Sequence, residues 1–259
     1  MEAVLHINDL NYQVFKDFDL AINDYKMVSI IGSNNSGKST LFKVISGVIP
    51  TTSVVRCLGI DLNRQNVNKY IKQLGIVYPL QEYAFLFDTV YDELSYPLKN
   101  LGYSKIYVNR QINKVLNLFS LDIKDKKINE LTVEEKQLLI FCLALIHNPK
   151  VLLIDDVFSY MNETDSKKII TILKGIKKIA IINFSSNLDN YKENDYIYVL
   201  DNGKIKLEGK YQNVLKEDNI LKKIGLEIPF TINLSNKLKE VGIINSDYDN
   251  LEELVNEVW

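Results

Sequence analysis

A glycine-rich stretch, Gly32-Ser33-Asn34-Asn35-Ser36-Gly37-Lys38-Ser39-Thr40, has the residue types and the spacing that bind phosphate. It matches the phosphate-loop pattern, in which two glycines separated by four residues are followed by Lys and then Ser or Thr. The backbone N–H groups of such a loop and the N-terminus of the next helix form an anion site. Lys38 is expected to reach the β- and γ-phosphates of a nucleotide, and the Ser39 hydroxyl is expected to face Mg²⁺.

The segments around this stretch give it the context of a phosphate loop. Residues 27–31 form a short apolar run typical of a buried parallel strand, and residues 41–45 have helical apolar spacing. Another apolar run, residues 151–154, ends in Asp155 and Asp156. Because parallel strands bind ligands at their carboxyl ends, Asp155 is predicted to hold Mg²⁺ through water, opposite Ser39. The alternative, a chance glycine-rich turn, is disfavoured by this pairing.

Strands and helices alternate along most of the chain, which predicts an α/β fold with a mainly parallel sheet. The first thirty residues alternate in short segments typical of an antiparallel β-layer. Residues from about 88 to 148 are largely helical and predict a separate lobe. Asp201-Asn202-Gly203 predicts a hairpin turn. The remaining predicted elements are a strand and turn at 53–62, helices at 67–74 and 166–176, and strands at 75–78 and 179–182.

Bulk composition excludes several classes of protein. The chain has 259 residues, 46% apolar and 25% charged, which is enough for one large domain with a substantial core. The net charge of −2 gives no basis for electrostatic binding to nucleic acid or lipid. Cys57 and Cys142 lack metal-ligand spacing and predict core residues of a reduced, cytosolic protein. The N-terminus lacks a secretory pattern, and no apolar run approaches the ~20 residues that span a bilayer, so any membrane role requires a partner.

The composition changes near Tyr211, where short amphipathic helices with few apolar residues begin. We therefore predict a nucleotide-binding domain over residues 1–210 and a small helical dimerisation domain over residues 211–259. A tail of about fifty residues buries little core alone, so it is expected to pack on the main domain or on another copy of the chain.

With these motifs, residues 1 to roughly 210 resemble the ATP-binding cassette (ABC) ATPases. The order of elements is theirs: phosphate loop, helical lobe, Asn148-Pro149-Lys150, the strand ending in Asp155, and a hairpin ending in Asn202-Gly203-Lys204-Ile205. The tail segments 224–231 and 234–238 look like the C-terminal domain of the ATPases of energy-coupling factor (ECF) vitamin importers. The resemblance implies a P-loop ABC nucleotide-binding domain that binds ATP with Mg²⁺.

The resemblance also implies partners. In the ECF family, two ATPases form a head-to-tail dimer on a transmembrane T subunit that works with a substrate-binding S subunit. Each ATP lies between one chain's phosphate loop and the other chain's signature sequence. For this chain the resemblance implies a second ABC ATPase, in a heterodimer or a homodimer, and a peripheral position on the cytoplasmic face of the cell membrane, with no nucleic-acid partner.

The signature sequence departs from the family pattern Leu-Ser-Gly-Gly-Gln. The matching run is Leu131-Thr132-Val133-Glu134-Glu135. Thr132 keeps a hydroxyl that suits a γ-phosphate, but Val133 and Glu134 replace glycines that allow backbone to approach the anion, and Glu134 adds a like charge. Thr132 and Glu135 also have the spacing of a capping box, in which the helix N-terminus is occupied by its own side chains.

The residues that activate water in the family are also replaced. Asp156 stands where the family has a glutamate base, and it is one methylene shorter; a displacement near ~1 Å costs on the order of 10²-fold in rate. Ser186 stands in place of the switch histidine. The Q-loop glutamine aligns with Pro79, and Gln81 replaces it only if the loop shifts. The D-loop aspartate aligns with Asn162.

Three further positions bear on the interpretation. Tyr12 either stacks on an adenine ring or is a half-buried strand tyrosine. His147 is predicted to end a helix, where its protonated form is favourable. Asp92 and Glu93 either face arginines of the T subunit, as the resemblance suggests, or complement the dipole at a helix start.

Groups for nucleotide binding are kept and groups for hydrolysis are mostly lost. This combination predicts an ATP-binding subunit of an ECF-type importer whose own hydrolysis is weak and which is paired with a more competent ATPase. The main alternative is a non-hydrolysing nucleotide-binding scaffold or regulatory subunit of an ABC complex. A soluble ABC protein of DNA repair or translation is disfavoured, because such proteins usually carry two cassettes or a long coiled-coil insert.

Overall fold

A six-stranded sheet forms the centre of the computed structural model, which describes residues 3–23, 27–81, 84–188, 195–246, 248 and 251–258. Its strands are β3 (Met27–Ile31), β6 (Leu74–Val77), β7 (Val151–Asp155), β8 (Ala180–Ser185), β9 (Tyr196–Asp201) and β10 (Lys204–Lys210). The order across the sheet is β10-β9-β3-β8-β7-β6, and β10 alone of these strands runs antiparallel to its neighbour. The parallel strands are apolar because both faces of the sheet are covered, and every residue of β8 is buried.

A second, antiparallel sheet lies at the N-terminal side. It contains β1 (Leu5–Tyr12), β2 (Phe15–Ile22), β4 (Val54–Cys57) and β5 (Ile60–Asp61), in the order β2-β1-β4-β5. Tyr12 is therefore the last residue of β1, where it pairs with Phe15 across a tight turn. The turn itself consists of Gln13 and Val14, which lie beside the phosphate loop.

The helices divide into two groups. Those that flank the sheet are α1 (Lys38–Ile45), α2 (Val67–Ile71) and α6 (Glu163–Lys174), and those of the lobe are α3 (Val90–Asn100), α4 (Lys105–Leu118) and α5 (Val133–Leu145). The helix predicted over 67–74 ends at Ile71, because Leu74 is buried and pairs with Val151 as the first residue of β6. The predicted fold class is confirmed: a mainly parallel sheet, an antiparallel layer and a helical lobe.

The tail contains α7 (Tyr211–Leu215), α8 (Asp218–Lys223), α9 (Phe230–Glu240) and α10 (Leu251–Val258). Its first part joins the sheet: Tyr211 and Leu221 share a buried cluster with Ile31 and Val199, and the Tyr211 hydroxyl donates to the Leu188 carbonyl at 2.7 Å. The last two helices pack on each other. A domain boundary near residue 210 stays a prediction, and so does the role of the tail in dimerisation.

The structure tests the predictions made for the two cysteines, for His147 and for membrane-spanning segments. Cys57 and Cys142 are buried thiols, as predicted, and burial raises the pKa of Cys57 to about 12. His147 follows the C-terminal end of α5, as predicted, but the expectation that its protonated form is favoured there is wrong. Its Nε2 lies 2.9 Å from the Leu74 carbonyl, and burial lowers its pKa, so the neutral form is favoured. Among the described residues, no helix is both long enough and apolar enough to cross a membrane.

Candidate nucleotide-binding site

The phosphate loop runs from the carboxyl end of β3 to the start of α1, as the sequence predicts. Gly37 caps α1 with φ 112°, a left-handed value that favours glycine, and no side chain caps the helix. The first N–H groups of a helix have no partner within it, so this N-terminus is open to an anion. A Cβ on Gly37 would also lie 2.8 Å from the Phe15 ring, so the close approach of β2 excludes a side chain.

Lys38 folds over the loop. Its Nζ donates to the carbonyl of Gly32 at 2.6 Å and to that of Ser33 at 2.9 Å. Burial lowers the pKa of Lys38, while the nearby charges of Asp156 and Asp155 act in the opposite direction. The predicted phosphate-binding lysine and the predicted strand-end carboxylates therefore lie close together.

Neighbouring elements hold the loop in shape. The Gly203 N–H donates to the Ser36 carbonyl at 3.0 Å, and the Gly32 N–H donates to the Ser185 carbonyl at 3.3 Å. The Ser36 hydroxyl is buried and has no hydrogen-bond partner among the described residues. A buried polar atom of this kind calls for a ligand or water, and a phosphate oxygen meets that need.

Replacing Gly203 by Ala is expected to destabilise the chain by about 2–4 kcal/mol. Gly203 has φ +72°, and a Cβ there would lie 2.2 Å from the Val14 carbonyl oxygen. The matched control is Gly102→Ala, where φ is +78° and a Cβ meets nothing within 4 Å, so only the backbone strain of about 1 kcal/mol applies. Urea unfolding of both variants measures the difference, and equal losses would show that the Val14 contact does not matter.

Asp155 ends β7 and is about half-buried beside the loop. Burial and the charge of Asp156 raise the pKa of Asp155, whereas Lys38 and Lys43 lower it. A carboxylate whose charged form is disfavoured gains most from a bound cation, which suits a magnesium ligand. Sequence reasoning missed Tyr78, whose pKa is raised by burial and by the charge of Asp155, and whose ring packs edge-on against Phe42 of α1.

Asp156 and Ser186, the residues at the family's base and switch positions, bind each other. The Ser186 hydroxyl donates to Asp156 Oδ2 at 2.8 Å, and the Ser186 N–H donates to Oδ1 at 3.3 Å. The Ser159 hydroxyl also donates to Oδ1, at 2.6 Å. Asp156 has φ 52°, in the left-handed region, at the turn that follows β7. Nothing in the sequence pattern indicated this arrangement.

Gln81, the predicted substitute for the Q-loop glutamine, lies in a groove whose described lining does not include Asp155 or Asp156. Gln81 is exposed and lines a groove of about 850 Å³ against the helical lobe, together with Phe85 and Lys136. A different glutamine organises this segment: the Gln137 Oε1 accepts from the Leu80 N–H at 3.0 Å. Gln137 is buried on α5, so it ties the strand-to-lobe connection to the lobe.

The N-terminus of α5, which carries the signature run, is closed by its own side chains. Thr132 Oγ1 accepts from the Glu135 N–H at 3.2 Å, and Glu135 Oε2 accepts from the Thr132 N–H at 2.9 Å. The predicted capping box is confirmed. The Lys126 ammonium adds a contact at 3.1 Å, and these hydrogen bonds lower the pKa of Glu135. Val133 and Glu134 are both exposed at this end.

Two other positions singled out in the sequence, Tyr12 and Asn162, lie near the phosphate loop and at the start of α6. Tyr12 is half-buried against the β-layer core, and Gln13 after it accepts from the Thr40 hydroxyl at 2.9 Å. This contact places the end of β1 next to α1. Asn162 caps α6 and accepts from the Asp165 N–H at 2.8 Å.

The two acids at the start of α3 do not both face outward. Glu93 is only 6% exposed, and its carboxylate accepts from the N–H groups of Leu86 and Phe87 at 2.9 and 2.8 Å. Of the two alternatives given for Glu93, the one in which it faces arginines of the T subunit is therefore wrong, because backbone donors hold its buried carboxylate. Asp92 binds the Thr89 hydroxyl at 2.7 Å in the first turn of the helix.

The residues present fit a magnesium-bound nucleoside triphosphate. They supply an open helix N-terminus, a lysine, a buried Ser36 hydroxyl with no partner among the described residues, the Ser39 hydroxyl in the first turn of α1, and the Asp155 carboxylate, whose pKa responds to the charge of Lys38. When bound, the metal would neutralise phosphate charge. Together, this fold and this site define a phosphate-loop nucleotide-binding protein.

Comparison with known proteins narrows the class. The family model described as ABC transporter matches residues 15–159. An energy-coupling factor transporter ATP-binding protein, EcfA2 of Caldanaerobacter subterraneus subsp. tengcongensis, is 31% identical over 92% of this chain and 87% of its own. EcfA1 of Ureaplasma parvum serovar 3 is 29% identical over 95% of this chain and 85% of its own.

A solved structure shares the fold. That of cbiO1 from Clostridium perfringens has a TM-score of 0.75 and 22% sequence identity, covering 93% of this chain and 98% of its own. The family model and the 31% identity to EcfA2 show that the chain belongs to the ABC transporter family, and within it to the ATP-binding proteins of energy-coupling factor transporters.

Proposed function

We propose that this chain is the ATP-binding subunit of an ECF-type importer of a vitamin or other micronutrient, and that it binds MgATP firmly but hydrolyses it weakly. The observation that carries this proposal is the contrast between two helix N-termini. That of α1 is uncapped beside Lys38, whereas that of α5 is filled by Thr132 and Glu135. The first suits a triphosphate and the second does not.

The residues have separate roles in binding. Residues 32–40 hold the phosphates with Lys38, while Ser39 and Asp155 hold Mg²⁺. The Tyr12 ring contributes to the adenine site, which is supported by the contact between Gln13 and Thr40 at the end of β1.

Weak hydrolysis follows from the contacts of Asp156. A general base must accept a proton from water that lies within hydrogen-bond distance. Asp156 Oδ1 accepts from the Ser159 hydroxyl and the Ser186 N–H, and Oδ2 accepts from the Ser186 hydroxyl, so an attacking water has only the second lone pair of Oδ2 and competes there with Ser186. Ser186 has no cationic form with which to sense a γ-phosphate. The same contacts also favour the alternative function, a scaffold that binds nucleotide without cleaving it.

In the family, each ATP lies between the phosphate loop of one ATPase and the signature sequence of another, so we propose a second ATPase as a partner of this chain. The partner's signature would complete the site on this phosphate loop, and the capped α5 of this chain would meet the partner's nucleotide. The solved neighbour is described as part of the ABC transporter complex cbiONQ. Exposed apolar side chains on the tail, among them Phe230 at 70% and Val241 at 69%, support a further contact between the two ATPases.

We propose that the membrane T subunit docks in the groove beside Gln81 and that the chain therefore lies on the cytoplasmic face of the membrane. Its walls carry Leu80, Phe85 and Phe87, and Lys136 lies on its lobe side. The backbone of Leu86 and Phe87 is held by Glu93, so the groove is preformed.

Phe87→Glu is expected to reduce recovery of the chain in the membrane fraction at least about tenfold, since hot-spot aromatic residues carry much of an interface. The measurement is co-purification of the tagged chain with a polytopic membrane protein and a second ATPase from its own cells. Ile106→Glu is the matched control, because Ile106 is 85% exposed on the same lobe but lies outside the groove. Equal recovery of both variants would reject the docking site, and a chain that never reaches the membrane would reject the transporter function.

A further inference from the structure

A second cavity, with a volume of about 560 Å³, lies away from the nucleotide site. It opens where β7 and β8 begin, next to Lys150 and Ile179, whereas Asp155 and Ser186 lie where these strands end. Five strand residues separate the two sites, or about 17 Å along the strand direction. A ligand of drug size fits a pocket of this volume.

The cavity walls come from both parts of the molecule. Val115 and Leu118 belong to α4 of the lobe, while Ile172 belongs to α6 and Ile176 follows it. Leu118, Ile172 and Ile176 are only partly buried, so they offer apolar surface to an occupant. A molecule in this cavity would contact the lobe and the sheet domain at once.

The rim of the cavity is strongly basic. Four lysines line it, Lys114, Lys150, Lys177 and Lys178, and its lining among the described residues contains no Asp or Glu. None of the four belongs to an ion pair within the described part of the chain. The whole chain is nearly balanced, with 31 basic and 33 acidic residues, so this concentration of positive charge is local.

The helix dipole accounts for two of the four lysines and does not account for the other two. Lys177 and Lys178 follow the C-terminal end of α6, where the helix dipole favours a cation. Lys114 and Lys150 lie on other elements. The Lys114 ammonium donates to Asn148 Oδ1 at 2.7 Å, and the Asn148 amide donates to Gln111 Oε1 at 3.1 Å. This chain of neutral partners fixes Lys114 in place without cancelling its charge.

We propose that this cavity binds a small amphipathic anion, with an apolar body against Leu118, Ile172 and Ile176 and a carboxylate, sulfonate or phosphate group at the lysine rim. Apolar walls supply affinity for such a molecule, and a few placed charges fix its orientation. We take the ligand to be a free small molecule, because the volume of about 560 Å³ suits one and the lining comes from both the lobe and the sheet domain. The site is distinct from the nucleotide site, and it does not depend on the transporter function proposed above.

The test uses the full chain with anilinonaphthalene sulfonate as the probe, in the presence of saturating MgATP to fill the nucleotide site. Fluorescence titration is expected to give saturable binding that Lys114→Gln/Lys178→Gln weakens about tenfold, because each exposed ion pair contributes a factor of a few. The control is Lys16→Gln/Lys168→Gln, which removes two exposed lysines outside the cavity. Equal affinity in both double variants and the parent chain would overturn the proposal as nonspecific staining.

Methyl NMR of the unaltered chain gives a measurement that does not depend on a variant folding. The signals of Ile172, Ile176 and Ile179 are expected to shift with the probe, and that of exposed Ile106 is not; the reverse pattern would overturn the proposal. A parallel sedimentation with phosphatidylglycerol vesicles separates a free ligand from a lipid headgroup. Lysine-dependent binding to vesicles with no binding of the dissolved probe would reject a free small-molecule ligand.

Discussion

Lys38→Ala is expected to weaken MgATP binding by at least about 10²-fold while the chain stays folded. Hydrogen bonds to a charged group contribute roughly 1.5–3 kcal/mol each, and Lys38 is placed to make two with the β- and γ-phosphates, so the loss is at least about 3 kcal/mol, or about two factors of ten. The Lys38 ammonium donates to the neutral carbonyls of Gly32 and Ser33, and burial lowers its pKa. Its removal also takes away a cation that favours the charged form of Asp155, and the remaining cation of α1 that acts on Asp155 is Lys43.

Isothermal titration calorimetry measures this loss, with thermal melting of the free chain as the test of folding. Lys43→Ala is the matched control: it removes another cation of α1 that acts on Asp155, but it lies beyond the first helical turn. An affinity of Lys38→Ala within threefold of the parent chain would contradict the assignment of the phosphate loop. In the assembled transporter, Lys38→Ala also distinguishes the importer subunit from the scaffold. Transport that continues in the Lys38→Ala variant would favour the scaffold.

Local patterns in the sequence predicted those parts of the site that depend on neighbours in the chain. The phosphate loop needs only a strand before Gly32 and a helix after Gly37, and both can be identified from apolar periodicity. The capping box needs Thr132 and Glu135 three residues apart, and the contact follows from helix geometry. Such features are fixed within one or two turns of backbone.

Contacts between distant segments could not be predicted in this way. Asp156 and Ser186 are thirty residues apart, and their hydrogen bond depends on the register of β7 against β8. Tyr78 acquires its position beside Asp155 through the pairing of β6 with β7. Glu93 is a charged residue near the start of a helix, where an exposed side chain is expected. It is buried instead, and its carboxylate accepts hydrogen bonds from two backbone N–H groups of the preceding loop, which need an acceptor.

The purified chain is expected to bind MgATP yet turn it over on the order of 0.1 s⁻¹ or slower, about 10²-fold below a median enzyme rate of about 10 s⁻¹. The reason is geometric: the Asp156 carboxylate is short for the position of the base, and it is held by the hydroxyls of Ser159 and Ser186. Phosphate release at saturating nucleotide, with binding measured on the same sample, checks this expectation.

Asp156→Asn gives the sharper test, because the amide keeps the size of the carboxylate and removes its basicity. If Asp156 acts mainly as a partner of Ser186, this variant is expected to change the slow turnover by less than about threefold, since a base that is not used contributes nothing to the barrier. Ser186→Ala, which releases the Asp156 Oδ2, is expected to leave turnover unchanged or raise it. Brisk turnover of the parent chain that both Asp156→Asn and Lys38→Ala abolish would establish Asp156 as a working base, and hydrolysis at this chain's own phosphate loop would then no longer require a better-equipped partner.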